Sequence, residues 1–196
     1  MSTDKPRIGV IVSSTRKTRF ADKPTQWILD LARQHEGWEV ELLDLRDFDL
    51  PFFDEPASNA WMPTQDPRAV AWQKKLATMD GFIFVVAEYN RSITGALKNA
   101  LDQAYVEWIR KPMAIVAYGS IGGARAAEHL RTIAVELQMV PSRFGVHIGG
   151  GDFFRIHPMG SNAPISEIEA SIAAPAKALI DDLDWWARTL KAARAA

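Results

Sequence analysis

Five apolar, β-rich runs recur along the chain with helix-length segments between them: Ile8 to Val12, Trp38 to Leu43, Phe82 to Val86, Met113 to Tyr118 and Arg143 to Ile148. Three of these are almost unbroken in apolar character, the pattern of strands buried on both faces. The segments between them, roughly 22–35, 66–79, 95–109 and 124–138, are amphipathic, and a last helix is expected over about 166–192. Strand and helix in strict alternation predict an α/β protein: a doubly wound, five-stranded parallel sheet with right-handed crossovers and helices on both faces.

Two stretches interrupt the rhythm. Residues 45–66 are acidic, rich in proline and dotted with aromatics; residues 149–165 join a triple glycine to further aromatics. Loops of that length in a compact domain tend to be functional or mobile. No internal repeat or low-complexity linker divides the 196 residues, so one domain over 1–196 is expected.

Composition narrows the chemistry. With 23 basic and 24 acidic residues, no basic stripe and a net charge of −1, nothing points to nucleic acid. The absence of cysteine excludes disulfides, thiolate nucleophiles and sulfur-ligated metals, and suits a reducing compartment. The first apolar run is too short for a secretory signal, and no span approaches the ~20 apolar residues of a membrane helix. A cytoplasmic protein without membrane contact is the expectation. His35, His129, His147 and His157 lack metal-ligand spacing, so no metal site is expected. Asp181, Asp182 and Asp184 read as a solvated helix face.

In an open parallel sheet of order 2-1-3-4-5, ligands bind beyond the carboxyl ends of the strands, at the switch between the first and third. That rule selects three segments. The first, Ser13 to Phe20 (SSTRKTRF), gathers hydroxyls and three cations just before a predicted helix, which suits a phosphate group; capping of that helix is the plainer reading. Neither a Walker loop nor a GxGxxG turn is present, which argues against a dinucleotide bound in Rossmann fashion. The second, AEYNRSITGALKN over 87–99, presents Glu88, Tyr89 and Asn90 to a flat heteroaromatic ligand, with Gly95 allowing close backbone approach. Its plainer reading is a turn with Asn90 in a left-handed conformation and Ser92 or Thr94 capping the next helix. The third, Tyr118 to Arg125 (YGSIGGAR), supplies glycines whose N–H groups suit a ring edge or a second phosphate. Ser120 matches no nucleophile motif, so no catalytic side chain is assigned.

Ser14-Thr-Arg16, Glu88-Tyr-Asn-x-Ser-x-x-Gly-Ala-Leu-Lys-Asn-Ala-Leu-Asp102, Lys111-Pro112 and Gly122-Gly-x-Arg-Ala126 together resemble the NADPH-dependent FMN reductase family over residues 7–148. The resemblance implies a flavodoxin-like fold and bound FMN. It places Ser14, Thr15, Arg16, Arg19 and Phe20 around the FMN phosphate and ribityl chain. Glu88, Tyr89 and Asn90 would lie against the isoalloxazine, with Gly119, Ser120, Gly122 and Gly123 at its other polar edge. Where the family usually has Gly and Pro, this chain has Ser13 and Ala87. The implied activity is transfer of electrons from NADPH or NADH through FMN to a small acceptor such as free flavin or a quinone, with the flavin rather than an acid/base pair carrying the chemistry. A homodimer or homotetramer is also implied, the 45–66 loop covering a neighbouring subunit's site. Arg91 is either a solvated cation or a grip on an anionic group of donor or acceptor. The competing readings are a flavodoxin-like electron carrier and a non-redox phosphate-binding module.

Overall fold

The computed structural model describes residues 5–196. Five parallel strands, β1 (Arg7–Val12), β2 (Glu39–Asp44), β3 (Gly81–Ala87), β4 (Pro112–Tyr118) and β5 (Val140–Ile148), pair in the order β2-β1-β3-β4-β5. Every residue of β3 and β4 is buried, as their unbroken apolar sequences require. Alternate side chains of β3 then serve two cores. Phe82, Phe84 and Val86 meet Trp72 and Leu76 of α2 (Pro67–Ala77), Leu97 and Leu101 of α3 (Gly95–Asp102) and Leu130 of α4 (Ala124–Glu136). On the opposite face, Ile83, Val85 and Ala87 belong with Trp27 and Ile28 of α1 (Asp22–Gln34) and Ile172, Leu179 and Leu183 of α6 (Glu169–Ala195).

The predicted elements form close to their expected bounds, with two differences. The helix expected over 95–109 stops at Asp102. Gln103 turns to donate from Nε2 to the Pro51 carbonyl at 2.8 Å, and Trp108 folds back into the core, its indole N–H reaching the Leu101 carbonyl at 3.2 Å. The aromatic residues of this segment are thus core at Trp108. The second difference is a short helix, α5 (Gly150–Ile156), inside the stretch expected to be irregular.

The long 45–66 segment is pinned to α3. Asn99 donates to the Pro51 carbonyl at 2.7 Å and accepts from the Phe53 N–H at 2.9 Å. Both amide groups of Asn99 are therefore used locally, while Phe52 and Trp61 stand 88% and 86% exposed.

Lys111 sits at the opposite end of the sheet from the ligand crevice. It is 6% exposed, and its ammonium donates to the Leu76 carbonyl at 2.8 Å. Burial, aided by the charge of Arg194, pushes its pKa down to about 8. Above the unfolded value both states are neutral; below about 8 both are charged. Between about 8 and 10.5 only the unfolded chain holds the proton, so stability should rise with pH there, by on the order of 2–3 kcal/mol. Urea unfolding of wild type minus Lys111→Met, measured at pH 7.5, 9 and 10.5, should show that rise; a flat difference would mean the burial leaves Lys111 unshifted.

Candidate functional site

The carboxyl ends of β1 and β3 are fastened together by Ser13, which is fully buried. Its N–H donates to the Val85 carbonyl at 3.1 Å, its Oγ accepts from the Ala87 N–H at 3.3 Å, and its carbonyl accepts from Thr94 Oγ1 at 2.6 Å. Thr94 Oγ1 also accepts from the Leu97 N–H at 3.1 Å, so Thr94, rather than Ser92, caps α3. The Ser13 hydroxyl therefore helps to tie the first turn to β3.

Residues 14–18 emerge from this anchor with backbone N–H groups that donate to no acceptor among the described residues. Ser14 Oγ lies 3.1 Å from the Tyr89 hydroxyl, whereas Thr15 and Arg16 are exposed. The Arg16 guanidinium faces the Tyr89 ring at 5.9 Å and has no carboxylate partner among the described residues. A row of free N–H groups beside a guanidinium without a carboxylate partner, just ahead of α1, has the donors and the charge that suit an anion.

Arg19 differs from the expectation that it surrounds a phosphate. Its guanidinium points inward, with its side chain 3% exposed, and all five N–H donors are engaged. Nε and Nη2 reach Asp22, Nη1 reaches the Ser14 carbonyl at 2.9 Å, and the two Nη atoms grip both oxygens of Asp44 at 2.7 and 2.6 Å. Burial alone would raise the Asp44 carboxyl, but hydrogen bonds from Arg19 and Arg46 win and hold it well below the usual carboxylate range. Arg19 thus shapes the loop and has no donor left for a ligand.

Glu88 is also tied. Its carboxylate accepts from the Arg125 N–H at 3.1 Å and lies 2.9 Å from Arg125 Nε, so it fixes the start of α4 with its backbone at the cavity wall. Tyr89 to Ser92 form a tight turn closed by reciprocal backbone bonds of 2.9 and 3.0 Å. Asn90 and Arg91 occupy its middle with φ of 49° and 71°, so Asn90 takes the left-handed conformation expected of it. Gly95 behaves otherwise than expected: a β-carbon there would meet open space, and no close approach requires glycine.

The glycine loop after β4 does require its glycines. Gly122 and Gly123 have φ of 78° and 65°, and a β-carbon on Gly123 would fall 2.8 Å from the Tyr118 nitrogen. Gly122 is held from both sides, its N–H donating to the Gly119 carbonyl at 3.0 Å and its carbonyl lying 2.9 Å from His147 Nδ1.

These three loops enclose a cavity of about 520 Å³. Arg16, Thr18 and Phe20 line one side, Glu88 and Tyr89 another, and Gly119 and Ser120 a third. The fourth wall is α5 and its continuation, with Phe153, Phe154, His157 and Met159. Phe20 packs edge-on against Tyr118 at 5.1 Å and Phe153 at 5.5 Å, so the walls are aromatic while the loop rim is polar. His157 lies 5.0 Å from Phe20 and 4.7 Å from Phe153, and its Nδ1 accepts from the Met159 N–H at 3.1 Å. Burial and then the charges of Arg16 and Lys23 lower its pKa, so the ring is neutral at pH 7 with its proton on Nε2. Lys23 holds this wall in place, donating to the Ile156 and Ala163 carbonyls and to Asn162 Oδ1. The triple glycine and aromatics of 149–165 were the only sequence signal for this wall. A second depression of about 490 Å³ lies beyond Thr15, against Arg46 and α3, but Arg46 there is already bound to Asp44.

Size, aromatic walls and an adjoining anion site together fit a phosphorylated flat ring. A model of the family described as NADPH-dependent FMN reductase matches residues 6–151. An NAD(P)H-dependent FMN reductase of Nectria sp. is 34% identical over 146 residues, covering 70% of this chain and 73% of that protein. One from Schizosaccharomyces pombe is 37% identical over 137 residues, 68% of each chain. An NADPH:quinone oxidoreductase of Arabidopsis thaliana is 32% identical over 138 residues, again 68% of each. Among solved structures, the flavoenzyme NAD(P)H:acceptor oxidoreductase FerB of Paracoccus denitrificans superposes with a TM-score of 0.68 at 21% identity, over 94% of this chain and 98% of that one, a likeness of fold. With the sheet order, the EYN turn and the glycine loop all in place over the matched span, this chain belongs to the NADPH-dependent FMN reductase family.

Proposed function

We infer that this chain is an FMN-dependent NAD(P)H oxidoreductase that passes electrons to a small-molecule acceptor, a quinone or free flavin. The observation that carries the reading is the loop of 14–18, with free N–H groups and with Arg16 and Thr18 lining the aromatic cavity at the β1/β3 switch. When bound, FMN would supply the hydride chemistry that links a nicotinamide donor to the acceptor. The chain's own part is to hold and to shield. Arg16 and the free N–H groups of 14–18, with the Ser14 and Thr15 hydroxyls, would hold the phosphate. Phe20 and Tyr89 would flank the ring, and the backbone of Glu88, Tyr89, Gly119 and Ser120 would meet its polar edges, with Asn90, Gly122 and Gly123 shaping the loops behind them. Arg19 and the Glu88 carboxylate act behind these, through the loops they brace. Phe153 and His157 would exclude water on the α5 side of the cavity.

A homodimer is part of this reading. The 45–66 loop, anchored on α3 by Asn99, carries Phe52 and Trp61 into solvent, and a second copy would bury them. No helix among the described residues is long and apolar enough to cross a membrane. The reading places the protein in the cytoplasm, where NADPH is supplied and a chain without cysteine needs no oxidising environment.

The test is the visible spectrum of the purified protein with added FMN, followed by anaerobic NADPH. A protein-bound flavin spectrum that bleaches supports the reading. Flavin that binds but stays oxidised would favour an electron carrier, and failure to bind FMN would leave only the fold. Arg16→Ala should weaken FMN binding about 10- to 100-fold, since a charge-assisted phosphate contact is worth about 1.5–3 kcal/mol. Fluorescence titration of FMN reads this directly; unchanged affinity would remove Arg16 from the phosphate site.

A further inference from the structure

Arg91 combines three properties that no other cation near the cavity shares. It is exposed, it holds a backbone conformation that disfavours a side chain, and it has no partner among the described residues. Two successive left-handed residues make this the turn type in which the second central position favours glycine. A β-carbon in that region costs about 1–2 kcal/mol. A residue with such a cost, two positions beyond Tyr89 of the cavity wall, is grounds for a functional hypothesis.

The turn that carries Arg91 is braced at both ends against α4. Glu88 binds the Arg125 N–H and guanidinium at 3.1 and 2.9 Å. Ser92 Oγ lies 2.6 Å from His129 Nδ1, one helical turn further along. Between these two fastenings the Arg91 backbone is fixed while its guanidinium stays free. Arg125 and His129 stand on the same face of α4, so both fastenings of the turn lie on one side of it. The acid next to the turn, Glu88, is already paired with Arg125, and its side chain is only 8% exposed, so it does not claim the Arg91 guanidinium.

We propose that Arg91 binds the 2′-phosphate of the electron donor and so selects NADPH over NADH. The proposal rests on the reductase reading. Tyr89, two residues before Arg91, lines the cavity that takes the reacting ring, so the remote, phosphate-bearing part of a dinucleotide must rest on the rim. A guanidinium fork matches a phosphate monoester in charge and in shape, and neutral acceptors give it nothing to bind.

The experiment compares wild type, Arg91→Gly, Arg91→Ala and Arg91→Lys, each loaded with FMN. Binding of 2′,5′-ADP and of 5′-ADP is followed by calorimetry, beside kcat/KM for NADPH and NADH. Wild type should bind 2′,5′-ADP about tenfold more tightly than 5′-ADP and show a similar preference for NADPH, both weakening as salt is raised. Arg91→Gly and Arg91→Ala should abolish the preference, with Arg91→Lys in between. Arg91→Gly should also melt at a higher temperature than wild type, which shows that loss of preference is not loss of fold. A preference that survives in Arg91→Gly, or a wild type that has none, overturns the proposal. If the protein fails to bind FMN yet still distinguishes 2′,5′-ADP through Arg91, the reductase reading fails and the phosphate contact stands.

Discussion

Asp44→Ala should destabilise the protein by about 3–5 kcal/mol, the usual result of removing one partner of a buried ion pair. Asp44 ends β2, is 7% exposed, and accepts from Arg19 through both oxygens and from Arg46 through side chain and backbone. Without it, the Arg19 guanidinium stays buried with only Asp22 and the Ser14 carbonyl as acceptors. Asp44→Asn keeps the shape and loses the charge, so it should fall between wild type and alanine. Because the folded carboxyl titrates below its ordinary range, its stabilisation is fully present above about pH 4 and is lost only as pH falls through the folded value. The variant should therefore differ from wild type equally at pH 6 and pH 8. Arg19 also donates to the Ser14 carbonyl, so FMN affinity should fall although neither residue touches the ligand. Urea unfolding at both pH values checks the first claim; a loss under 1 kcal/mol would mean that Asp22 and solvent satisfy Arg19 unaided.

This pair also shows where sequence reading stops. The sheet was legible because β1 after Arg7, and β3 and β4 along their length, are apolar, as strands covered on both faces are. Given the strand order 2-1-3-4-5, the switch point named the three loops. Within the loop of 13–20, however, Arg16, Lys17 and Arg19 are equivalent as letters. What separates them is Asp44, 25 residues beyond Arg19, which turns that one cation inward. Glu88 is a similar case: its partner Arg125 lies across the sheet on α4, so a carboxylate that reads as a ligand contact is a brace. The fourth wall was legible only as an unusual stretch of glycines and aromatics. The contacts that make it a wall, such as Lys23 to the carbonyls of Ile156 and Ala163, join segments more than a hundred residues apart. Local pattern gives elements and their ends; it does not give the partner that decides which way a polar side chain faces.

The triple glycine supplies the other large effect. Gly149→Ala should destabilise the protein by about 3 kcal/mol, the upper range for forcing a methyl into packed surroundings. The new β-carbon would fall on the Gly122 nitrogen and 2.7 Å from its α-carbon, and backbone cannot rotate away as a side-chain tip can. Gly122 has no room to yield, being tied to Gly119 and His147 and set at a positive φ. The β5–α5 connection must move instead, straining the bonds that flank the contact, Gly119 N–H to the Ile148 carbonyl at 3.2 Å and Gly150 N–H to the Ser120 carbonyl at 3.0 Å. Phe153 and His157 ride on that connection, so the cavity should open on its aromatic side and FMN affinity should fall at least tenfold. Gly151→Ala is the control, because a β-carbon there meets nothing and its backbone is helical. It should bind FMN as wild type does and gain up to about 1 kcal/mol from helix propensity. Thermal melts and FMN titrations of the two variants side by side separate steric contact from a general effect of adding alanine to this segment. Equal behaviour of the two would mean that the glycine loop and the β5–α5 turn are not interlocked, and that the α5 wall stands independently of the loop it faces.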